Sequence, residues 1–196
     1  MHRDTGFGRC AYEQARLDGS DTGGMRLDDA LEKWLERRGV AIQHVAEIVH
    51  ALQRPYNSKL TMEECVDSVR AVLGKREVQY TLYTGIALDE LAERKLLPEP
   101  LQQIMENDES LYGVDETMAL GIVHVYGMIG LTSFGYLDKM KPGIIDKLNR
   151  KGERIHVFLD DLVCGLAAAA SARIAHQDLN AKRYDLPEHG DAKQDA

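Results

Sequence analysis

The chain has 196 residues, of which 44% are hydrophobic and 29% are charged. This length and balance predict one globular domain that buries its core without a disulfide or a structural metal, and they exclude a disordered protein. Acidic residues outnumber basic ones by 32 to 24, which gives a net charge of -8. That charge argues against a broad basic face for nucleic acid, but it permits a phosphate-bearing substrate where a metal ion reverses the local field.

The cysteines and the apolar runs bear on the compartment. Cys10, Cys65 and Cys164 are odd in number and far apart in the sequence, so neither a disulfide framework nor a zinc site is expected. The start of the chain has no cationic stretch followed by an apolar one, as a secretory signal would. The longest apolar runs, Met118–Leu131 and Leu162–Ala170, fall short of the roughly 20 residues that span a bilayer. We therefore expect a cytoplasmic protein, with peripheral contact to the inner membrane face left open.

The first half of the chain has helical periodicity. Apolar residues with helical spacing begin near Leu27, and Asp28 or Asp29 can cap that helix. Gly39 is a stop signal for it. Further helices are predicted over 42–52, over a segment opened by the capping box Thr61-x-x-Glu64, and over 75–97, although 80–86 could also pass for a strand.

The second half contains two strongly apolar segments. Met118–Leu131 is apolar on all sides, which is typical of a central, buried helix. Thr132 or Ser133 can cap a short helix after it, and Pro142 suits the first turn of another over 143–149. A last helix is predicted over 155–175. Its small residues permit close helix contact, and the spacing of Gly165 and Ala169 leaves a contact between subunits open.

These elements predict an all-α fold. We expect a compact bundle of roughly six to eight helices with a buried central helix pair that contains glycine and alanine. A single domain covers residues 25–178, between a glycine-rich N-terminal extension over 1–24 and a polar C-terminal tail over 179–196. A β-containing fold is less favoured, because no paired runs with alternating polarity and hairpin turns occur.

Three acidic sites border the most apolar parts of the sequence: Asp115-Glu116, Asp138 and Asp160-Asp161. The first pair can be explained as a helix cap or as part of a site, and the residues leave both interpretations open. The last pair lies between apolar residues of a predicted helix. Burying an unpaired carboxylate costs several kcal/mol, of order 3–5 where a partner is removed, so such groups are expected beside a cation.

Asp138 and Lys141 are three residues apart, so one helical face can present both. They can form a surface ion pair, or they can provide a metal-ligating carboxylate beside a phosphate-binding ammonium. The three acidic sites are separated by about 22 residues each, a length that lets antiparallel helices return to one place. Clustered carboxylate oxygens favour Mg²⁺.

The sequence resembles the phosphatidylglycerophosphatase A family, and most closely its soluble members without transmembrane segments. The resemblance covers roughly residues 31–176 and depends on an ordered set of motifs. They are Lys75-Arg76-Glu77-Val78-Gln79 with Thr84-Gly85, Tyr112-Gly113-Val114-Asp115-Glu116, Asp138-Lys139-Met140-Lys141-Pro142-Gly143, and Leu159-Asp160-Asp161-Leu162-Val163-Cys164-Gly165.

The resemblance implies a Mg²⁺-dependent phosphatase of lipid metabolism that converts phosphatidylglycerophosphate to phosphatidylglycerol. Its substrate would be a phospholipid or another phosphomonoester, and a homo-oligomer is expected. Carried over by motif, Lys141 would hold the phosphate, and Asp138 and Asp161 would take part in the chemistry. The implied metal or water ligands are Glu116, Asp138, Asp160 and Asp161, with Asp115 as the weaker candidate because it can also be a cap.

Other residues have two interpretations. Lys75 and Arg76 can recognise phosphate or an anionic headgroup, or they can be a solvated basic pair. His156 can be a core histidine or a ligand, and Cys164 is interpreted as packing. Two other functions stay open: a non-catalytic helical interaction protein, and an all-α nucleotide pyrophosphohydrolase. Glu90-x-x-Glu93 supplies only half of the acidic pattern that the latter needs.

Overall fold

The computed structural model describes residues 27–177, except 151 and 153 and the side chain of residue 28. The predicted N-terminal extension and C-terminal tail lie outside these residues. The described part is helical and has no strand, which confirms the all-α prediction. Its helices are α1 (Leu27–Arg37), α2 (Ile42–Gln53), α3 (Met62–Leu73), α4 (Arg76–Glu93), α5 (Leu101–Asn107), α6 (Val114–Val123), a 3-10 turn (His124–Tyr126), α7 (Gly127–Met140), α8 (Ile144–Leu148) and α9 (Leu159–His176).

Helix α9 is the centre of the fold. It packs against α6 and α7, against α2 and α3, and less extensively against α4 and α8. Every residue from Leu159 to Ala172 is buried, so neighbours surround the helix on all sides. The small side chains predicted to allow close approach do so here: a Cβ atom on Gly165 would lie only 3.0 Å from the carbonyl oxygen of Ala119 on α6. Gly165 and Ala169 are buried within one chain, so the predicted helix contact lies inside the protomer and not between subunits, the alternative that the sequence left open.

Several local signals act as the sequence predicts. The Thr61 hydroxyl accepts a hydrogen bond from the Glu64 N–H at 3.2 Å, and the Glu64 carboxylate accepts one from the Thr61 N–H at 2.8 Å. Gly39 follows α1 with a φ of +88°, a conformation that favours glycine. Asp29 lies inside α1 and does not precede it. Thr132 lies inside α7, where its hydroxyl donates to the Met128 carbonyl at 3.0 Å, so the predicted cap at 132–133 is wrong.

The segment Met118–Leu131 is not one central buried helix. It is divided between α6, the 3-10 turn and α7, and Gly127 turns the chain there with φ +65° and ψ −152°. Within the described residues, Val114–Met140 is long and apolar enough to cross a membrane by length and composition, but only 28% of its apolar window is buried. Met128 is 70% exposed. The uniformly apolar composition of Met118–Leu131 therefore reflects apolar surface that is largely exposed, and the central buried helix is α9.

Helix α9 also begins later than predicted, at Leu159 instead of near residue 155. Its start is fixed from another helix, since the Asp89 carboxylate of α4 accepts hydrogen bonds from the N–H groups of Phe158 and Leu159, each at 3.0 Å. As a result, Asp160 and Asp161 lie in the first turn of α9. Helix dipoles favour negative charge at that end.

Candidate functional site

One cavity of about 340 Å³ opens where the start of α9 meets the start of α6 and the end of α7. Loop residues 149, 150, 152 and 154–157 also line it. The cavity is lined by all five acidic residues that the motifs single out and by Lys141; Arg154 and His156 come from the loop. Residues separated by some 45 positions in the sequence therefore share one solvent-accessible space.

The structure brings together three carboxylates from two helices. Asp115 and Glu116 occupy the first turn of α6, where Gly113 begins the helix with φ +65°. Asp161 comes from the first turn of α9. One oxygen atom from each of these three side chains lies within 4.8 Å of the other two. Asp115 also accepts a hydrogen bond from the Glu116 N–H at 3.0 Å. Gly113 precedes α6 without a side-chain cap, so Asp115 and Glu116 are not the cap that the sequence left open, but they lie in the first turn, where negative charge opposes the helix dipole.

Lys141 joins the remaining acids to this cluster. It follows α7 in a left-handed conformation, with φ 44° and ψ 53°, which turns its side chain toward α9. Its Nζ lies 2.8 Å from Asp138, 3.1 Å from Asp160 and 3.5 Å from Asp161. The predicted i, i+3 ion pair of Asp138 and Lys141 is thus present, but it extends into a network with the two nearly buried acids of α9.

Burial and mutual repulsion shift the acid equilibria of this cluster. Burial, followed by the charge of Asp160, raises the pKa of Asp161 to about 8, although Lys141 opposes the shift. Burial and the neighbouring Glu116 raise the pKa of Asp115 to about 7. Burial also raises the pKa of Asp160. Burial acts to lower the pKa of Lys141, but the charges of the surrounding carboxylates outweigh it and raise that pKa.

Asp89 is a site-forming residue that the sequence analysis did not single out. It is fully buried on α4 and holds the first N–H groups of α9, so it fixes the turn that carries Asp160 and Asp161. Burial raises the pKa of Asp89 to about 8. A signal existed in the sequence, because Asp89 follows Ile86 by three positions on the apolar face of α4, where a carboxylate needs a partner.

Lys75 and Arg76 are not among the described residues that line the cavity, so recognition of phosphate or an anionic headgroup by this pair stays a prediction. Arg76 is the first residue of α4, and Asp89 near the other end approaches the site. Thirteen residues at 1.5 Å each separate them by about 20 Å along the helix. Lys75 instead lies over the Tyr126 ring, with 5.7 Å between Nζ and the ring centre. The sequence motif predicted a helix at Lys75 and Arg76, but it did not indicate which end of that helix lies near the cavity.

The acidic pair Glu90-x-x-Glu93 is also outside the cavity lining. Glu90 accepts a hydrogen bond from the Trp34 indole N–H at 2.6 Å, and Glu93 forms an ion pair with Arg38 at 2.8 Å. Both carboxylates therefore connect α4 to α1 and the segment that follows it. This arrangement removes the feature that favoured a nucleotide pyrophosphohydrolase.

The donor set fits a hard divalent cation. Carboxylate oxygens are the ligands that Mg²⁺ prefers, and opposite ligands of an octahedral Mg²⁺ are about 4.2 Å apart. The oxygens of Asp115, Glu116 and Asp161 lie within 4.8 Å of one another, so small side-chain movements suffice. Asp138 and Asp160 lie on the Lys141 side of the same cavity.

Fold and site together define the class: an all-α protein in which carboxylates from α6, α7 and α9 share a single cavity with Lys141. Residues 35–176 match the family described as phosphatidylglycerophosphatase A. The chain belongs to this family, as its motifs indicate, and this membership indicates a phosphatase-like function.

Relatives of known sequence and structure agree with this membership. The chain is 53% identical over 162 residues to the uncharacterized protein YpjQ of Bacillus subtilis, covering 82% of this chain and 92% of that protein. A solved structure of YpjQ has a TM-score of 0.74 at 55% identity and covers 76% of this chain and 93% of its own. The low temperature requirement C protein of Listeria monocytogenes has a TM-score of 0.75 at 51% identity, covering 78% and 96% of the two chains.

Proposed function

We propose that this protein is a Mg²⁺-dependent phosphate monoester hydrolase that converts phosphatidylglycerophosphate to phosphatidylglycerol. The observation that carries the proposal is the meeting of the family's acidic motifs and Lys141 in one cavity. Phosphate monoesters carry two negative charges at neutral pH, so bare carboxylates would repel them, and a site of this composition needs a cation to bind one.

The residues divide between holding the cation and holding the substrate. Asp115, Glu116 and Asp161 would hold Mg²⁺, with Asp138 and Asp160 as further ligands or as partners of a bound water. When bound, Mg²⁺ supplies positive charge for the phosphate oxygens and makes water more acidic. Lys141 would exchange one of its carboxylate partners for a phosphate oxygen, which its three Nζ protons allow.

The reaction exchanges two bonds to phosphorus. The oxygen of a water molecule forms a bond to phosphorus as the bond to the glycerol oxygen breaks on the opposite side. A carboxylate of the cavity that does not hold the cation would accept one proton of the water and return a proton to the glycerol oxygen, which leaves as the alcohol. The second proton of the water stays on the released phosphate.

A lipid substrate has to be collected from a bilayer. We propose peripheral contact with the inner membrane face through exposed apolar side chains close to the site in sequence. Leu111 is 100% exposed, Val114 is 46% exposed and Met140 is 59% exposed, and they flank Asp115 and Lys141 in the chain. Sedimentation with phosphatidylglycerol vesicles tests this contact. Leu111→Ser should reduce the bound fraction, and equal sedimentation of both proteins would contradict it.

The test of function is release of inorganic phosphate from phosphatidylglycerophosphate with Mg²⁺ and with a chelator. Asp161→Asn and Asp138→Asn should each lose at least about 100-fold in rate, the lower end for a group that acts directly on the reaction. Asp67→Asn is the matched control, because Asp67 is an exposed acid on α3. Activity that survives chelation, or unchanged activity in both site variants, would contradict the proposal.

Two measurements separate the other functions. Absence of Mg²⁺ or Mn²⁺ binding in a calorimetric titration, together with a stable homo-oligomer, would favour a non-catalytic interaction protein. A panel of soluble phosphomonoesters beside the lipid identifies the substrate. We expect the lipid to be preferred, and a soluble monoester hydrolysed faster would replace it as the substrate.

A further inference from the structure

A buried arginine fixes the orientation of His156, the one histidine among the described residues that line the cavity. Arg38 is only 5% exposed and forms an ion pair with Glu93 at 2.8 Å. Its Nη2 atom lies 2.6 Å from the Ile155 carbonyl oxygen and 3.0 Å from Nδ1 of His156. Glu93 also accepts a hydrogen bond from the Ile155 N–H at 2.9 Å. The backbone and the ring at 155–156 are therefore held by the same two charged residues.

This contact determines which ring nitrogen carries the hydrogen. A guanidinium group has five N–H donors and no acceptor. Nδ1 of His156 must therefore accept the hydrogen bond from Arg38, and the neutral ring carries its hydrogen on Nε2. Nε2 lies on the other edge of the ring, turned away from Arg38. A ring whose Nδ1 accepts this hydrogen bond is neutral. Burial, followed by the charge of Arg38, acts in the same direction and lowers the pKa of His156 to about 4.

His156 is one helical turn from the acidic pair. Its carbonyl oxygen accepts a hydrogen bond from the Asp160 N–H at 3.3 Å, and His156 is one of the residues that line the same cavity as Asp160 and Asp161. The carboxylates of this cavity can only accept hydrogen bonds when ionised, whereas the oxygens of a phosphate group require donors. A neutral Nε2–H of His156 would supply a donor without adding a charge.

We propose that His156 is a substrate-binding residue whose Nε2–H donates a hydrogen bond to an oxygen of the substrate's phosphate group. Arg38 is a positioning residue that selects this tautomer. The inference rests on the proposed function, since it requires a phosphate monoester in this cavity. It goes further by assigning a neutral donor from the loop, which neither the acidic motifs nor the lysine provides.

Two substitutions separate the two edges of the ring. Asn at 156 retains an acceptor close to Nδ1 but removes the Nε2 donor, and Gln places an amide N–H close to Nε2. With Mg²⁺ present, His156→Asn should raise KM about tenfold, as expected for one lost hydrogen bond to a charged group, while kcat changes less. His156→Gln should remain within about threefold of the wild-type KM. A purely structural role would not distinguish them by KM.

Nitrogen-15 NMR of the histidine rings provides a readout besides activity. We expect the His156 resonances of the Nε2–H tautomer in the free protein, without titration between pH 5 and pH 8. Arg38→Gln should introduce the second tautomer. Saturating inorganic phosphate with Mg²⁺ should shift the Nε2 resonance, while bound phosphate is followed independently by phosphorus-31 NMR.

The outcomes distinguish this inference from the proposed function. If the wild-type protein neither hydrolyses phosphomonoesters nor binds phosphate, the proposed function fails and this inference fails with it. If the wild-type protein is active or binds phosphate, three results would overturn the role of His156 alone. They are a hydrogen on Nδ1, an Nε2 resonance that phosphate does not move, and an unchanged KM in His156→Asn.

Discussion

Asp89→Asn tests whether a side chain from α4 fixes the start of α9. The two carboxylate oxygens of Asp89 accept separate hydrogen bonds, from the N–H groups of Phe158 and Leu159, each at 3.0 Å. Asn keeps the size of the side chain but provides one carbonyl oxygen, and its NH₂ group faces the second N–H. One backbone donor is then left unsatisfied where Asp89 is 0% exposed.

The expected loss follows from that donor. A buried donor without a partner costs about 1–3 kcal/mol, so Asp89→Asn should lower the free energy of unfolding by about that amount in urea titrations. Asp89→Ala would leave both donors unsatisfied and lose about twice as much, a large share of the roughly 5–15 kcal/mol that stabilises a domain. Asn is therefore the informative variant. The exposed control Asp67→Asn should stay within about 0.5 kcal/mol of the wild type.

The effect of Asp89→Asn on the free energy of unfolding should depend on pH in a defined direction. The pKa of Asp89 is raised from 3.8 to about 8 by burial, so the folded state holds this proton more tightly than the unfolded state. Its stabilising contribution is complete below pH 4 and is lost as the pH rises toward 8. The difference in unfolding free energy between wild type and Asp89→Asn should therefore shrink from pH 5 to pH 8. A variant within about 0.5 kcal/mol of the wild type at pH 5 would refute the capping role.

Three further predictions concern packing, metal binding and the ammonium group. Gly165→Ala should lower the free energy of unfolding by about 1–3 kcal/mol, because its Cβ would lie 3.0 Å from a backbone carbonyl oxygen. Gly121→Ala is the control, since no atom of the described residues lies within 4 Å of a Cβ there. An equal effect of the two substitutions would contradict the packing argument. Mg²⁺ affinity measured by calorimetry should rise from pH 5 to pH 8, and binding should release protons. Burial raises the pKa values of Asp115 and Asp161 to about 7 and about 8, and the protonated carboxyl groups cannot act as ligands. A pH-independent affinity would contradict this prediction. Lys141→Met should lower the melting temperature without metal, since three carboxylates lose the ammonium group that they share. For the same reason, Mg²⁺ should raise the melting temperature of this variant by more than it raises that of the wild type. A smaller rise in the variant would contradict the prediction.

The parts of the fold that local physics determines were predictable from the sequence. The Thr61–Glu64 capping box is formed entirely by neighbours in the chain. The i, i+3 pairing of Asp138 with Lys141 is also local, and it is present at 2.8 Å. Carboxylates beside apolar helical segments required a common partner because their burial is costly, and this argument led to the cavity without knowledge of the helix packing.

The remaining parts depend on contacts between distant residues. Helix α9 starts at Leu159 because Asp89, about 70 positions earlier, accepts its first N–H groups, and no local pattern near residue 159 records that. The central position of α9 was ambiguous for a similar reason. Met118–Leu131 and α9 are both apolar, but only the small side chains of α9 allow neighbours to approach from every side.

The charge balance of the cavity links its structure to its expected chemistry. Seven carboxylates line it among the described residues, and Lys141 pairs with three of them. The three cationic side chains of the lining, those of Lys141, Arg150 and Arg154, cannot neutralise seven negative ones. The raised pKa values of Asp115 and Asp161 express that excess as retained protons. A divalent cation would replace those protons with fixed positive charge. The same replacement would free Lys141 from its carboxylates, because each ligand that turns to the metal is one fewer partner for the ammonium. Metal binding and phosphate binding are therefore expected to be coupled, each increasing the affinity for the other, and equal phosphate affinity with and without Mg²⁺ would disprove that coupling.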